Sequence, residues 1–160
     1  MTSNFRVLGA GVWGLAFSDY LLKLGHSVEI FCRDTNLSNK NISELKLSHV
    51  SEKNLMSLDT LNAQKSNGEI NIIAVNSKGF SDLLNKHESY FSTLDELVSL
   101  TKGLDHTSGK YFNDYVFDMF SNIKKYGLIS GPSFAKDLCH EKKISVSFAT
   151  LDNKLSYSMV

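Results

Sequence analysis

The stretch VLGAGVWGLAF (residues 7–17) ends a short apolar run, Phe5 to Leu8, with three glycines in six residues and then opens a helical pattern. Leu15, Ala16, Tyr20, Leu21 and Leu24 recur at helical spacing up to Gly25, a residue suited to a C-terminal cap. SVEIFC (residues 27–32) is β-branched and aromatic enough for a second strand. A helix joining two strands this short makes a right-handed βαβ crossover, so the sheet it starts is parallel. A parallel sheet needs helices on both faces, and the rest of the chain must supply them.

The alternation continues as that requirement demands. INIIAV (70–75) has almost no polar residue, as expected of a central strand, and FSDLLNKH (80–87) reads as the next helix. LVSLT (97–101) reads as a strand and KYFNDYVFDMFSNI (110–123) as an amphipathic helix with Tyr111, Phe112, Tyr115, Phe117 and Phe120 as its core stripe. GLIS (127–130) is a strand, FAKDLCHE (134–141) a helix and ISVSFAT (144–150) a last strand. Residues 33–69 are rich in Asn, Ser and Lys with few apolar anchors, which predicts short helices and loops. The expected fold is α/β: a Rossmann-type, doubly wound, mostly parallel sheet with helices on both faces, filling residues 1–151 as one domain. DNKLSYSMV (152–160) reads as the opening of a further helix, with Asp152 or Asn153 as its N-cap.

Charge excludes several partners. The 17 Lys and Arg balance the 17 Asp and Glu, so no global field draws the chain to nucleic acid or an anionic membrane, and any anion must be bound locally. The opening apolar run is too short for a signal segment or membrane span. Cys32 and Cys139 fit no paired or metal spacing and the five histidines are scattered, so no metal site is expected. Free thiols and no leader predict a cytoplasmic protein.

Gly9, Gly11 and Gly14 match GxGxxG, and the strand before and helix after give that weak pattern its expected setting. Gly9 would permit the tight turn, Gly11 the approach of a pyrophosphate, and Gly14 close packing of helix on sheet. An acidic residue about 20 positions on normally holds the ribose of NAD. The residue at the end of the second strand is instead Arg33, followed by Asp34. A guanidinium there can bind a 2′-phosphate or stack on adenine, so the expected cofactor is NAD or NADP.

Taken in order, VLGAGVWGLAF, GHSVEIFCRD, IIAVNS, TKGLD and SGPSFAKDL resemble the NAD(P)-dependent glycerol-3-phosphate dehydrogenases of the bacterial type across nearly the whole chain. SGPSFAK following KGL is far more specific than the glycine turn. The resemblance implies reduction of dihydroxyacetone phosphate to sn-glycerol 3-phosphate, a supply step for glycerophospholipids. It implies that Val12 and Trp13 contact the cofactor beside the glycine turn, Arg33 its adenosine end and Ala135 its nicotinamide side. Lys102 would stand between cofactor and substrate as the catalytic charge-stabilising residue, with Gly131 and Ser133 binding the phosphorylated substrate. One departure is Asn76, where that family usually has proline.

Simple chemistry agrees with these implied roles. Lys102 follows a strand, so it projects from the carboxyl edge where open α/β sheets bind ligands, and an ammonium there can stabilise charge growing on a carbonyl oxygen. Gly131 leaves room for a ligand, Pro132 fixes the backbone, Ser133 offers a hydroxyl, and a helix beginning near Phe134 points free N–H groups at an anion. The resemblance further implies a second, helical domain with the general acid/base lysine, so the chain is expected to be the cofactor half, inactive alone, with exposed apolar surface that favours a homodimer. A noncatalytic dinucleotide-sensing module, or the cofactor half of another hydroxy-acid dehydrogenase, is the alternative.

Overall fold

In the computed structural model, residues 2–61, 68–131, 134–140 and 144–151 are described. The expected helix over 152–160, together with Pro132 and Ser133, lies outside them. The strands are β1 (Asn4–Leu8), β2 (Ser27–Cys32), β3 (Leu55–Ser57), β4 (Ile70–Ile73), β5 (Glu96–Ser99), β6 (Lys125–Ser130) and β7 (Ser147–Thr150). They form one seven-stranded sheet in the order β3-β2-β1-β4-β5-β6-β7. Every pair is parallel except β6 with β7. The helices are α1 (Val12–Lys23), α2 (Thr35–Leu45), α3 (Phe80–Lys86), α4 (Glu88–Phe91), α5 (Phe112–Met119) and α6 (Ala135–Cys139).

The central strands are buried on both faces, β4 throughout and β5 from Leu97 to Ser99, which explains the apolar run of β4. Phe5 and Val7 of β1 and Ile70 and Ile72 of β4 join Leu15 and Leu21 of α1 in one core layer. Leu8 and Ile73 from the same strands pack on the opposite face with Phe80, Leu84, Phe91, Phe112 and Val116 of α3, α4 and α5. Successive residues of a strand point to opposite faces, so β1 and β4 serve both layers. This is the doubly wound Rossmann-type arrangement expected from the alternation. Beside β1 the order reverses: β2 lies on one side and β4 on the other, so the carboxyl ends of β1 and β4 flank the switch point where such sheets bind ligands.

Several boundaries differ from expectation for reasons visible in the hydrogen bonding. β5 stops at Ser99 because the backbone N–H of Thr101 donates to Ser99 Oγ (3.0 Å), turning the chain out of the ladder. Helix α5 is shorter than its pattern: Tyr111 is its N-cap, and beyond its end Asn122 Nδ2 bonds the carbonyls of Phe91 and Leu94 at 2.9 and 2.6 Å. The aromatic stripe is correspondingly narrower, since Phe112 and Phe120 are buried but Tyr111 is 65% exposed and Phe117 39%. β3, pairing Leu55–Ser57 with Ile30–Cys32, arises within the stretch read as helices and loops. Its three residues are too few to show a period.

Among the described residues no helix is long and apolar enough to cross a membrane, and no three His, Cys, Asp or Glu residues are placed to hold a metal.

Candidate functional site

The turn after β1 is held against β4 and β2. Gly9 N–H donates to Phe31 O (2.9 Å), and Ala74 N–H donates to Leu8 O (2.8 Å). Gly9 has φ +124°, and a Cβ there would lie 2.5 Å from Ala74 O, so neither its conformation nor its surroundings admits another residue. A Cβ on Gly14 would lie 2.3 Å from Gly9 O, which fixes how closely α1 rides on the turn. Gly11 differs from both. It is the N-cap of α1 in ordinary extended backbone (φ −70°, ψ 172°), and a Cβ there would meet nothing within 4 Å. The fold does not require glycine at that position, and the open space over it is where a ligand could approach the backbone.

Above Gly11, the first intrahelical bond of α1 is Leu15 N–H to Gly11 O (2.9 Å). The amides of Val12, Trp13 and Gly14 therefore precede the helical ladder, and the first turn carries no acidic side chain to compete for them. An anion is the natural complement of this helix end. Val12 is 46% exposed, whereas Trp13 packs partly into the core and edge-on to Phe17 (ring centroids 6.2 Å apart). Both residues can offer backbone here, and the Trp13 ring serves packing.

A cleft of about 510 Å³ opens at this switch point, lined by Gly9, Ala10 and Gly11, by Arg33, Asp34, Ser38 and Asn41 after β2, and by Ala74, Val75 and Asn76 after β4. Asp82, Lys86 and His87 close the α3 side. Arg33 is exposed and makes no hydrogen bond or ion pair among the described residues. Its neighbour Asp34, also in the cleft lining, caps α2 with one carboxylate oxygen, accepting from Leu37 N–H at 3.0 Å. Lys86 pairs with Asp59 (3.1 Å). Burial, and then the nearby Lys86 charge, hold the His87 imidazole below its ordinary value.

Lys102 and Gly131 do not line that cleft; they meet one another at the far side of the carboxyl edge, where Lys102 Nζ donates to Gly131 O at 3.1 Å. Thr101 Oγ1 donates to Val75 O (2.8 Å), tying the residue before the lysine to the loop after β4. Asp105 organises the loop behind it, accepting from Ser108 N–H (2.7 Å), Ser108 Oγ (2.8 Å) and Thr107 N–H (3.2 Å). The Ser108 backbone N–H, then the hydroxyls of Ser81 and Ser108, hold its carboxyl below the ordinary value. Gly131 has φ +150°, and a Cβ there would lie 2.6 Å from Ser145 O. The room expected for a ligand beside Gly131 is therefore occupied by backbone leading into β7. Ala135 starts the five-residue helix α6, which packs across α1.

Sequence reasoning did not foresee Asn76 as a shaping residue of the cleft. Asn76 Oδ1 accepts from Gly79 N–H (2.8 Å) and caps the single 3₁₀ turn Ser77–Gly79. The signal was present as an Asn three residues before a glycine and just ahead of a helix. The structural role of Asp105 could likewise have been read from the Ser three residues after it.

Residues 4–156 match the family model described as "NAD-dependent glycerol-3-phosphate dehydrogenase N-terminus". A glycerol-3-phosphate dehydrogenase [NAD(P)+] of Francisella tularensis subsp. novicida is 28% identical over 158 residues, which is 95% of this chain and 47% of that protein. The chain thus spans about half the length of the curated relatives it matches. The crystal structure of a glycerol-3-phosphate dehydrogenase from Coxiella burnetii superposes with TM-score 0.74 at 20% identity, covering 99% of this chain and 50% of that one. A putative F420-dependent NADP-reductase from an Arthrobacter species superposes with TM-score 0.68 at 17% identity over 99% of this chain and 78% of that one. The backbone alone is therefore shared by other redox chemistries.

Proposed function

The chain belongs to the NAD-dependent glycerol-3-phosphate dehydrogenase family and corresponds to its N-terminal part; on that premise we propose that it holds the NAD or NADP of an oxidoreductase that interconverts dihydroxyacetone phosphate and sn-glycerol 3-phosphate. The observation that carries the reading is Gly11: an N-cap with ordinary backbone angles and open space above it, at the head of a helix with no acid in its first turn. Glycine there is explained by a ligand that must reach the backbone, and the diphosphate of a dinucleotide is that ligand.

The other residues follow from this placement. The amides of Val12, Trp13 and Gly14 meet the diphosphate. Arg33, with no hydrogen bond or ion pair among the described residues, serves the adenosine end, beside an Asp34 that gives one carboxylate oxygen to the cap of α2. That combination supports acceptance of a 2′-phosphate, and hence NADP alongside NAD. When bound, the dinucleotide would give a hydride to the carbonyl carbon of the ketone or take one from the carbinol carbon of the alcohol, with the accompanying proton joining or leaving the oxygen on that carbon. Lys102 is the group of this chain that stabilises charge on the substrate oxygen, and its hydrogen bond to Gly131 O holds the ammonium in position for that task. Gly131 and Ser133 are proposed as substrate-binding residues, and Ala135 as a contact of the nicotinamide side of the cofactor. The reading includes a cytoplasmic location and a role in supplying glycerol phosphate for lipids, consistent with two free thiols.

Titration of the purified chain with NADH and NADPH, followed by nucleotide fluorescence and calorimetry, tests the reading. Saturable binding of either supports it, and Arg33→Ala should weaken NADPH roughly tenfold while changing NADH little. No binding of either nucleotide by folded chain would overturn it. The chain alone is expected to bind without turning over glycerol 3-phosphate.

A further inference from the structure

Resting on the dinucleotide reading, we infer that Asn76 is a further cofactor-binding residue, whose side-chain Nδ2 donates a hydrogen bond to an oxygen of the ribose–diphosphate backbone. Asn76 lines the same cleft as Gly9, Gly11 and Arg33, in the loop that leaves β4 directly beside the glycine turn. Its Oδ1 is committed to Gly79 N–H at 2.8 Å, which fixes the plane of the amide and leaves the two Nδ2 hydrogens as the free end. No acceptor for Nδ2 occurs among the described residues. The ribose–diphosphate stretch of a dinucleotide is rich in acceptors and poor in donors, so a fixed amide donor complements it.

The backbone does not explain the asparagine. Asn76 has φ −71° and ψ 162°, and its N–H makes no backbone hydrogen bond among the described residues. Proline, the residue that the resemblance leads one to expect at this position, would fit these angles with no hydrogen bond lost. What asparagine adds is its side chain, an acceptor that caps the turn and an amide donor on an exposed residue of the cleft lining. The capping half is satisfied within the protein; the donor half has no protein acceptor among the described residues and is open to a ligand in place of water.

Two variants separate the halves. Asn76→Pro suits the backbone and removes both, while Asn76→Asp keeps the cap and removes only the donors. Both should weaken NADH and NADPH equally, by roughly tenfold, because the contact is to the part the two nucleotides share. The deficit in Asn76→Asp should persist at high salt, where repulsion between its new charge and the diphosphate is screened. Calorimetric titrations of wild type, Asn76→Pro and Asn76→Asp at low and high salt, with circular dichroism to verify folding, decide the matter. Affinities within twofold of wild type for both variants, or a deficit confined to Asn76→Asp at low salt, overturn the inference and leave the dinucleotide reading standing. If wild type binds neither nucleotide, both fall. Should Asn76→Pro fail to fold, the high-salt affinity of Asn76→Asp decides alone.

Discussion

Between β1 and α1 the chain builds one wall of the proposed site from backbone alone, whereas between β5 and β6 it builds the other with side chains. At the first wall two glycines, Gly9 and Gly14, are demanded because a Cβ would come within 2.5 and 2.3 Å of neighbouring backbone, and the third, Gly11, is left open. At the second, Lys102 is held by its bond to Gly131 O, with Thr101 tied to Val75 O and Asp105 knitting the loop behind it. The difference teaches where rigidity comes from. Main-chain amides of a helix end need no rotamer to be ordered, whereas an exposed lysine needs a partner to hold it, and that partner lies 29 residues away.

Gly14→Val should break the first wall outright. Its side chain has no space against the Gly9 carbonyl, and a loss of about 3 kcal/mol or more is expected in thermal or urea unfolding. A variant as stable as wild type would show that α1 can lift off the turn, and the claim of a backbone-built wall would fail. Gly11→Val isolates the ligand-facing glycine. It should lose no more than about 1 kcal/mol, the cost of a poor N-cap, and yet bind dinucleotide at least tenfold more weakly. Loss of stability instead of affinity would place Gly11 with Gly9 and Gly14 as a packing glycine.

A smaller effect is expected at the second wall. Asp105→Ala leaves the amides of Thr107 and Ser108 without their acceptor and should cost about 1–2 kcal/mol, with dinucleotide affinity unchanged because Asp105 does not line the cleft. The same carboxylate sets a pH dependence. Its folded-state value is depressed below the ordinary 3.8, so its stabilisation is complete above about pH 4 and disappears as pH falls through the folded value. Wild-type stability should therefore fall more steeply than that of Asp105→Asn in acid denaturation below pH 4. Parallel curves would mean that the carboxylate contributes nothing as an ion.

The residues of the first wall were legible because their constraints are local. A strand, three glycines and a helix within about 20 residues announce the turn, and the periods of two and 3.6 announce what flanks it. Arg33 was legible too, as the residue at the end of β2, although only the structure shows that its neighbour Asp34 caps α2. β3 and the exposed Phe117 were missed because three residues carry no period and because a helix pattern does not say how wide its buried stripe is.

Order along the chain was thus enough to establish a doubly wound sheet and to mark Gly9, Gly11, Gly14 and Arg33, since strand, turn and helix signals act over a few residues. Pairing order, the meeting of Lys102 with Gly131, the filling of the space beside Gly131 by Ser145 and the placement of Asn76 in the cleft awaited the folded chain. These depend on which strand edges come together, and a hydrogen bond or a close backbone approach between segments many residues apart leaves no periodic trace in either segment.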